Sequence, residues 1–248
     1  MSNFISNFST PPSKHESNAR TKLSKLKNDS FNIDNCKINH LPSHIKSSWI
    51  KDREPIAMFI ENVLTVDECK EWIEISECIG YDEALVNVGG GNELKIKDIR
   101  NSSRCIIDDI ERASDIWNRI KSFIPTNYIP PIENHVPIEV NERLRFLRYD
   151  IGEYFKPHFD GCYQRNSNEN GDGDVSFLTI QLYLNDDFQG GSTRFFSNTK
   201  DRDSDYYDVI PKTGSVLIFD HQMLHSGEIL VKGRKYAVRS DIMFTHNV

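Results

Sequence analysis

From Pro55 onward the apolar residues stop being scattered and recur at regular intervals. The run Ile56–Leu64 (IAMFIENVL) has the β-branched and aromatic content of a strand. Thr65 with Glu68 three residues on is a capping-box start, and Cys69, Trp72, Ile73, Ser76 and Ile79 then repeat at helical spacing until Gly80 ends the helix. A second helix is expected from Asp108 and Asp109, whose carboxylates suit a helix N-terminus. Its buried face would be Ile110, Ala113, Ile116, Trp117, Ile120 and Phe123, with Pro125 as the stop. After Pro137 the helical period disappears. Short β-type runs follow, separated by turn residues: RLRFLRY, EYFKPHFD, SFLTIQLYL, STRFFS, DVIP, SVLIFD and KYAVRSDIMF. Two helices followed by seven or eight short strands predict a mainly β sandwich or barrel with flanking helices packed on one side.

The remaining segments lack such periodicity. Residues 1 to about 45 are rich in Ser, Asn and Lys, with too few large apolar side chains to offset the entropy of ordering. They are read as a flexible tail, with Phe31–Ile38 as a stretch able to dock locally. Residues 46–136 form the helical support segment and 137–248 the β core. The polar insertion Gly161–Asp174 and the acidic one Asn198–Asp208 are read as loops at the mouth of the barrel. A chain of 248 residues fits one such domain.

Composition narrows the function classes. No run of eighteen apolar residues occurs, so no membrane span is expected, and the N-terminus lacks the apolar core of a secretory signal. Five cysteines without CxxC spacing argue against a disulfide framework or a zinc site and for a reducing, cytoplasmic setting. The net charge of −7 weighs against binding along a phosphate backbone.

The candidate chemistry begins at His158-Phe159-Asp160. On a strand, residues two apart share a face, so the imidazole and the carboxylate project together while Phe159 turns away. A neutral imidazole beside a carboxylate makes two legs of a facial triad for non-haem iron(II). His225, after the apolar run SVLIFD, is the best third ligand; His221 is its competitor, at a spacing that suits a helical pair better.

Around these residues the chain resembles the prolyl 4-hydroxylase-like branch of the 2-oxoglutarate/iron(II) oxygenases, over roughly residues 55–246. The resemblance is carried by RYDIGEYFKPHFD, LTIQLYLNDDFQGGSTRF and PKTGSVLIFDHQMLHSGEILVKGRKYAVRSDIMF. It implies a double-stranded β-helix (jelly-roll) core. It further implies an enzyme that uses iron(II), 2-oxoglutarate, O2 and ascorbate as reductant, and that hydroxylates an unactivated C–H bond with release of succinate and CO2.

Within that resemblance, Lys235 lies ten residues after His225, where these enzymes place the lysine that binds the distal carboxylate of 2-oxoglutarate. Arg239, at fourteen, matches the offset of other branches. Gly233 before Lys235 favours the lysine. Tyr149 and Tyr183 are candidates for holding the cosubstrate, against the plainer reading of core tyrosines. Gly190 and Gly191 are read as shaping a turn, without a catalytic role. Arg100, in Arg100-Asn101-Ser102-Ser103, resembles a segment whose arginine binds peptide, although Asn101 departs from the usual Thr. A peptide or protein substrate with a target proline is therefore expected. The same chemistry on a small molecule, lipid or nucleobase, and an inactive jelly-roll binding module, are the alternatives.

Overall fold

The computed structural model describes residues 23, 25–27, 31–47, 50, 52–89, 92–165, 173–197 and 205–247. Its backbone is organised by a nine-stranded antiparallel sheet. From one edge the order is Lys37–His40, Ala57–Glu61, Val216–Asp220, Val175–Tyr183, Lys235–His246, Arg143–Tyr149, Ser103–Asp108 and Asp82–Glu83, with His135–Val140 also pairing Lys235–His246. A four-stranded sheet, ordered Tyr206–Val209, Thr193–Phe196, His225–Gly227 and Phe155–His158, completes the jelly-roll.

Strand alternation divides the large sheet into two faces. Met58, Ile60, Leu144, Phe146, Ile180, Leu182, Val216, Ile218, Val238 and Ile242 point to one side. There they pack with Cys69 and Trp72 of helix Val66–Ile79 and with Ala113, Ile116 and Ile120 of helix Ile110–Ile120. Ala57, Phe59, Tyr183, Leu217, Phe219 and Ala237 point to the other and close against Phe195, Val209 and Met223. The helices thus sit on one face, as expected, and the small sheet covers the opposite face.

Both helices start as their sequences predict. Thr65 and Glu68 form a reciprocal capping box, and Asp109 accepts from the Arg112 amide. Gly80 ends the first helix at φ +96°, a conformation that favours glycine. One expected core position is corrected. Ile110 is 73% exposed, and Arg112 is buried instead, paired with Asp115. Ile110 is the first residue of the helix, where the periodic pattern aligns it with the buried face without the packing that buries the later turns.

The tail boundary also shifts. Residues 1–22 of the segment read as flexible lie outside the described residues. Beyond them, Leu23 and Leu26 are buried, Lys37–His40 adds an edge strand beside Ala57–Glu61, and Leu41 and Ile45 enter the inner core. These few large apolar residues find prebuilt apolar surface on the domain, so their burial does not need a core of their own. The support segment 46–136 likewise supplies strands to the large sheet as well as helices.

The insertion Gly161–Asp174 is fastened at both stems, while its residues 166–172 lie outside the described ones. Gln164 bridges Val175, the Arg165 amide donates to the Asp174 carbonyl (2.9 Å), and the Arg165 side chain pairs with Glu139, Glu142 and Asp174. The segment Asn198–Asp208 is read as a loop, yet its last residues belong to the strand Tyr206–Val209.

Glu68 does more than cap. Its carboxylate meets Arg119 of the second helix through two hydrogen bonds of 2.9 Å, both side chains being almost fully buried. Removing one partner strands the other's charge in a dry interior. Glu68→Ala is therefore expected to lower the unfolding free energy by about 3 to 5 kcal/mol, read from urea denaturation. A loss below about 1 kcal/mol, the value of an exposed pair, would contradict this role.

Candidate active site

The small sheet aligns two histidines. Strands Phe155–His158 and His225–Gly227 are antiparallel with His158 directly opposite His225, and their rings lie 4.3 Å apart between centroids. The strand ends at His158, so Asp160 lies two residues beyond it and not, as the sequence suggested, on it; its amide donates to the His221 carbonyl (3.1 Å). One ligand atom from each of His158, Asp160 and His225 falls within 4.8 Å of the others. The Nε2 atoms of His158 and His225 each stand 3.7 Å from an Asp160 oxygen.

Neighbouring groups prepare these residues for a metal. His158 Nδ1 lies 2.8 Å from the Lys156 carbonyl and His225 Nδ1 3.0 Å from the Met223 carbonyl. A carbonyl can only accept, so Nδ1 carries the proton and the Nε2 lone pair faces the site. Burial, with the neighbouring histidine next, pushes His158 down to about 3; burial likewise lowers His225. Both rings are thus neutral, as ligands must be. Burial opposes ionisation of Asp160, but Arg239 holds its carboxyl well below the usual range. Thr179 donates to Asp160 Oδ2 (2.6 Å), and Arg239 Nη2 lies 3.1 Å from Oδ1. Two neutral imidazoles and one oriented carboxylate make a donor set that suits iron(II).

Deeper in the barrel, Lys235 is 2% exposed and donates to the Gly191 carbonyl (2.6 Å). Its ammonium sits 5.3 Å from the Tyr149 ring centre and 5.4 Å from that of Tyr183. No carboxylate pairs with it among the described residues, and burial alone lowers it to about 7. A buried ammonium without an anion is costly, and a bound carboxylate removes that cost. Gly233 adopts φ +84°, and a Cβ there would come within 2.9 Å of the Asp187 carbonyl, which explains the glycine two residues before Lys235. Tyr183 shares a 2.7 Å hydrogen bond with Thr193, which places it in the wall of this space.

Arg239 occupies a different place. Instead of reaching the depth of the barrel, it contacts Asp160 and Asp241 beside the histidines. His221 is directed to Asp241 (3.5 Å) and stands apart from the three-residue cluster. Arg100 bridges Phe155 in an antiparallel pair and lays its guanidinium over that ring at 4.8 Å. The Phe155 ring in turn stacks on His158 at 3.6 Å. Asn101 is used structurally, its side-chain oxygen accepting from the Tyr154 amide (2.7 Å).

Sequence reasoning missed Thr179, Asp241 and Phe155. A signal for Asp241 was present: Lys235, Arg239 and Asp241 lie an even number of residues apart on one strand, so one inner face collects them. Thr179 sits opposite Asp241 on the neighbouring strand.

A family model described as the 2OG-Fe(II) oxygenase superfamily matches residues 144–240, the stretch that holds all three clustered residues and Lys235. Probable prolyl 4-hydroxylase 8 of Arabidopsis thaliana is 28% identical over 214 residues, covering 77% of this chain and 68% of that protein. Probable prolyl 4-hydroxylase 10 of the same plant is 26% identical, with the same shares covered. Among solved structures, a Pseudomonas putida prolyl-4-hydroxylase superposes with a TM-score of 0.49 at 15% identity, covering 81% of this chain and 98% of that one.

Thr179→Val removes a hydrogen bond to Asp160 while preserving side-chain shape. It is expected to weaken cobalt(II) or iron(II) affinity by about 10- to 100-fold, read by competition against a chelator. Unchanged affinity would show that Thr179 does not orient the carboxylate.

Proposed function

We infer that this chain, a 2-oxoglutarate- and iron(II)-dependent oxygenase of the prolyl 4-hydroxylase-like branch, hydroxylates a proline within a peptide. The observation that carries the site assignment is the placement of Lys235: a buried cation without a carboxylate partner among the described residues, on the same strand as Arg239, which contacts Asp160 of the His158, Asp160 and His225 cluster. The prolyl 4-hydroxylase relatives supply the argument for the substrate.

When bound, iron(II) with 2-oxoglutarate and O2 supplies the oxidising chemistry, releasing succinate and CO2 and placing one oxygen atom on a substrate carbon. The protein's part is ligation, orientation and exclusion of water. His158, Asp160 and His225 would hold the metal on one face and leave its other positions open. Thr179 and Arg239 fix the Asp160 carboxylate, so its geometry does not depend on the metal's arrival. Lys235 would bind the distal carboxylate of 2-oxoglutarate in a charge-assisted contact, with the Tyr149 and Tyr183 rings forming the walls around its ammonium. No side chain is assigned as a general base, because the reaction removes hydrogen from carbon without one.

Arg239 is already engaged by Asp160 and Asp241, so Lys235 is the better anchor. Lys235→Ala should raise the 2-oxoglutarate concentration needed for half-maximal turnover far more than Lys235→Arg. Arg239→Ala should instead lower metal affinity. The reverse pattern would transfer the carboxylate to Arg239.

The lowered pKa gives a second test. Free Lys235 with a pKa of about 7 is mostly neutral at pH 8, and a bound carboxylate favours its ammonium form. Binding of 2-oxoglutarate at pH 8 should therefore take up close to one proton, and little at pH 6, where the lysine is already charged. Calorimetry in buffers of different ionisation enthalpy measures this directly, and equal uptake at the two pH values would contradict it.

The function itself is tested by succinate formation with iron(II) and ascorbate, with and without a library of proline-containing peptides. Stimulation by particular peptides, hydroxyproline in the product and loss of both in His158→Ala are expected. Turnover of another substrate class with none of the peptides would overturn the peptidyl-proline reading.

A further inference from the structure

The chain carries a net charge of −7, yet the space beside its metal-binding residues is rich in cations. Arg145 and Arg239 are cross-strand partners on the large sheet, and each has a terminal nitrogen 3.3 Å from Asp241. Two guanidiniums therefore share one carboxylate, and Arg239 also reaches Asp160 of the metal cluster. Loading the enzyme adds no net negative charge. A divalent metal and the dianion 2-oxoglutarate cancel one another, while Lys235 and Arg100 have no carboxylate partner of their own among the described residues.

Arg100 is the member of this group placed to meet a substrate. Its Nε donates to Ser102 (3.1 Å), and no carboxylate pairs with it among the described residues. Burial lowers its pKa; Tyr149 and Asp160 oppose that shift while the guanidiniums of Arg104 and Arg239 add to it, and an approaching anion favours the charged form. Its position over Phe155, whose ring stacks on His158, sets it one aromatic ring away from a metal-binding residue. A guanidinium presents paired donors that match a carboxylate, which an ammonium does not.

We propose that the enzyme selects an acidic peptide segment, in which an Asp or Glu side chain flanking the target proline docks on Arg100. This rests on the peptidyl-proline reading and adds the charge of the proline's neighbours. The guanidinium of Arg100, without a carboxylate partner among the described residues, draws such a segment to the site against the repulsion of an acidic protein. A nucleic-acid strand fits less well, because it needs cations spaced along a surface, and these are gathered inside the barrel.

The test uses pairs of peptides capped at both ends, Gly-Asp-Pro-Asp-Gly against Gly-Asn-Pro-Asn-Gly, so that side-chain carboxylates are the only anions. Holoenzyme with iron(II) and 2-oxoglutarate is assayed for hydroxyproline by mass spectrometry. Binding of fluorescein-labelled forms is followed by anisotropy with O2 excluded. The acidic peptide should exceed its amide twin by about tenfold or more in both kcat/KM and affinity, a preference that shrinks as salt is added. Arg100→Gln should bring the ratio close to one, and Arg100→Lys should restore part of it. Equal behaviour of the two peptides in the wild type overturns the proposal without recourse to any variant. So does a preference that survives in folded Arg100→Gln, or displacement of the acidic peptide by a single-stranded oligonucleotide at lower concentration than by unlabelled acidic peptide. If neither peptide is hydroxylated but the acidic one still binds more tightly through Arg100, the charge selection stands and the peptidyl-proline reading falls.

Discussion

Ionised groups on the inner face of a barrel must be solvated by one another, because the two sheets exclude most of the water that would otherwise do so. The strand Lys235–His246 carries this burden for the whole molecule. Lys235, Arg239 and Asp241 project from it into the barrel, and the neighbouring strands answer with Tyr149, Arg145, Thr179 and Tyr183. Asp241 is satisfied threefold, Arg239 finds two carboxylates, and Lys235 finds only a carbonyl oxygen. The position left without a carboxylate among the described residues is the one proposed to take the distal carboxylate of 2-oxoglutarate.

The same alternation accounts for the stiffness of the site. The residues between the inward polar ones face the other way, and Val238 and Ile242 among them are locked into the core beneath the helices. Burial on one face thus fixes side-chain direction on the other. The capping box of the first helix extends this rigidity, because Glu68 is at once a helix cap and the partner of Arg119 on the second helix. Metal-binding residues borne by strands held in this way need little rearrangement to accept an ion.

Much of this architecture was legible in the sequence, for reasons that differ from residue to residue. The helix starts were readable because capping chemistry is local, and the clustered residues because the HxD spacing on a strand specifies a shared face. His225 was readable from its place after an apolar run, and the structure groups it with His158 and Asp160; Lys235 came from resemblance. Between Lys235 and Arg239 the sequence offered only Gly233 in favour of the lysine. Both share a face of one strand, and the engagement of Arg239 by Asp160 is visible only in the fold. The edge strand Lys37–His40 escaped notice because its four side chains are all exposed and carry no periodic signal. Ile110 misled in the opposite direction. Periodicity reports which residues are aligned on a helix, whereas burial depends on whether anything lies opposite.

The stems of the segment 161–174 have an implication for how this enzyme could diverge or be engineered. Entry and exit are tied together by Gln164 with Val175 and by Arg165 with Asp174, and Arg165 is moored to Glu139 and Glu142 on the large sheet. Closure of the loop is thus secured at its base, independently of what lies between. Lengthening such a connection costs only about 0.6 kcal/mol per doubling of its length. The segment is accordingly a graft point: recognition sequences of different length and character can be exchanged there while the register of the strands that carry His158 and Thr179 is preserved.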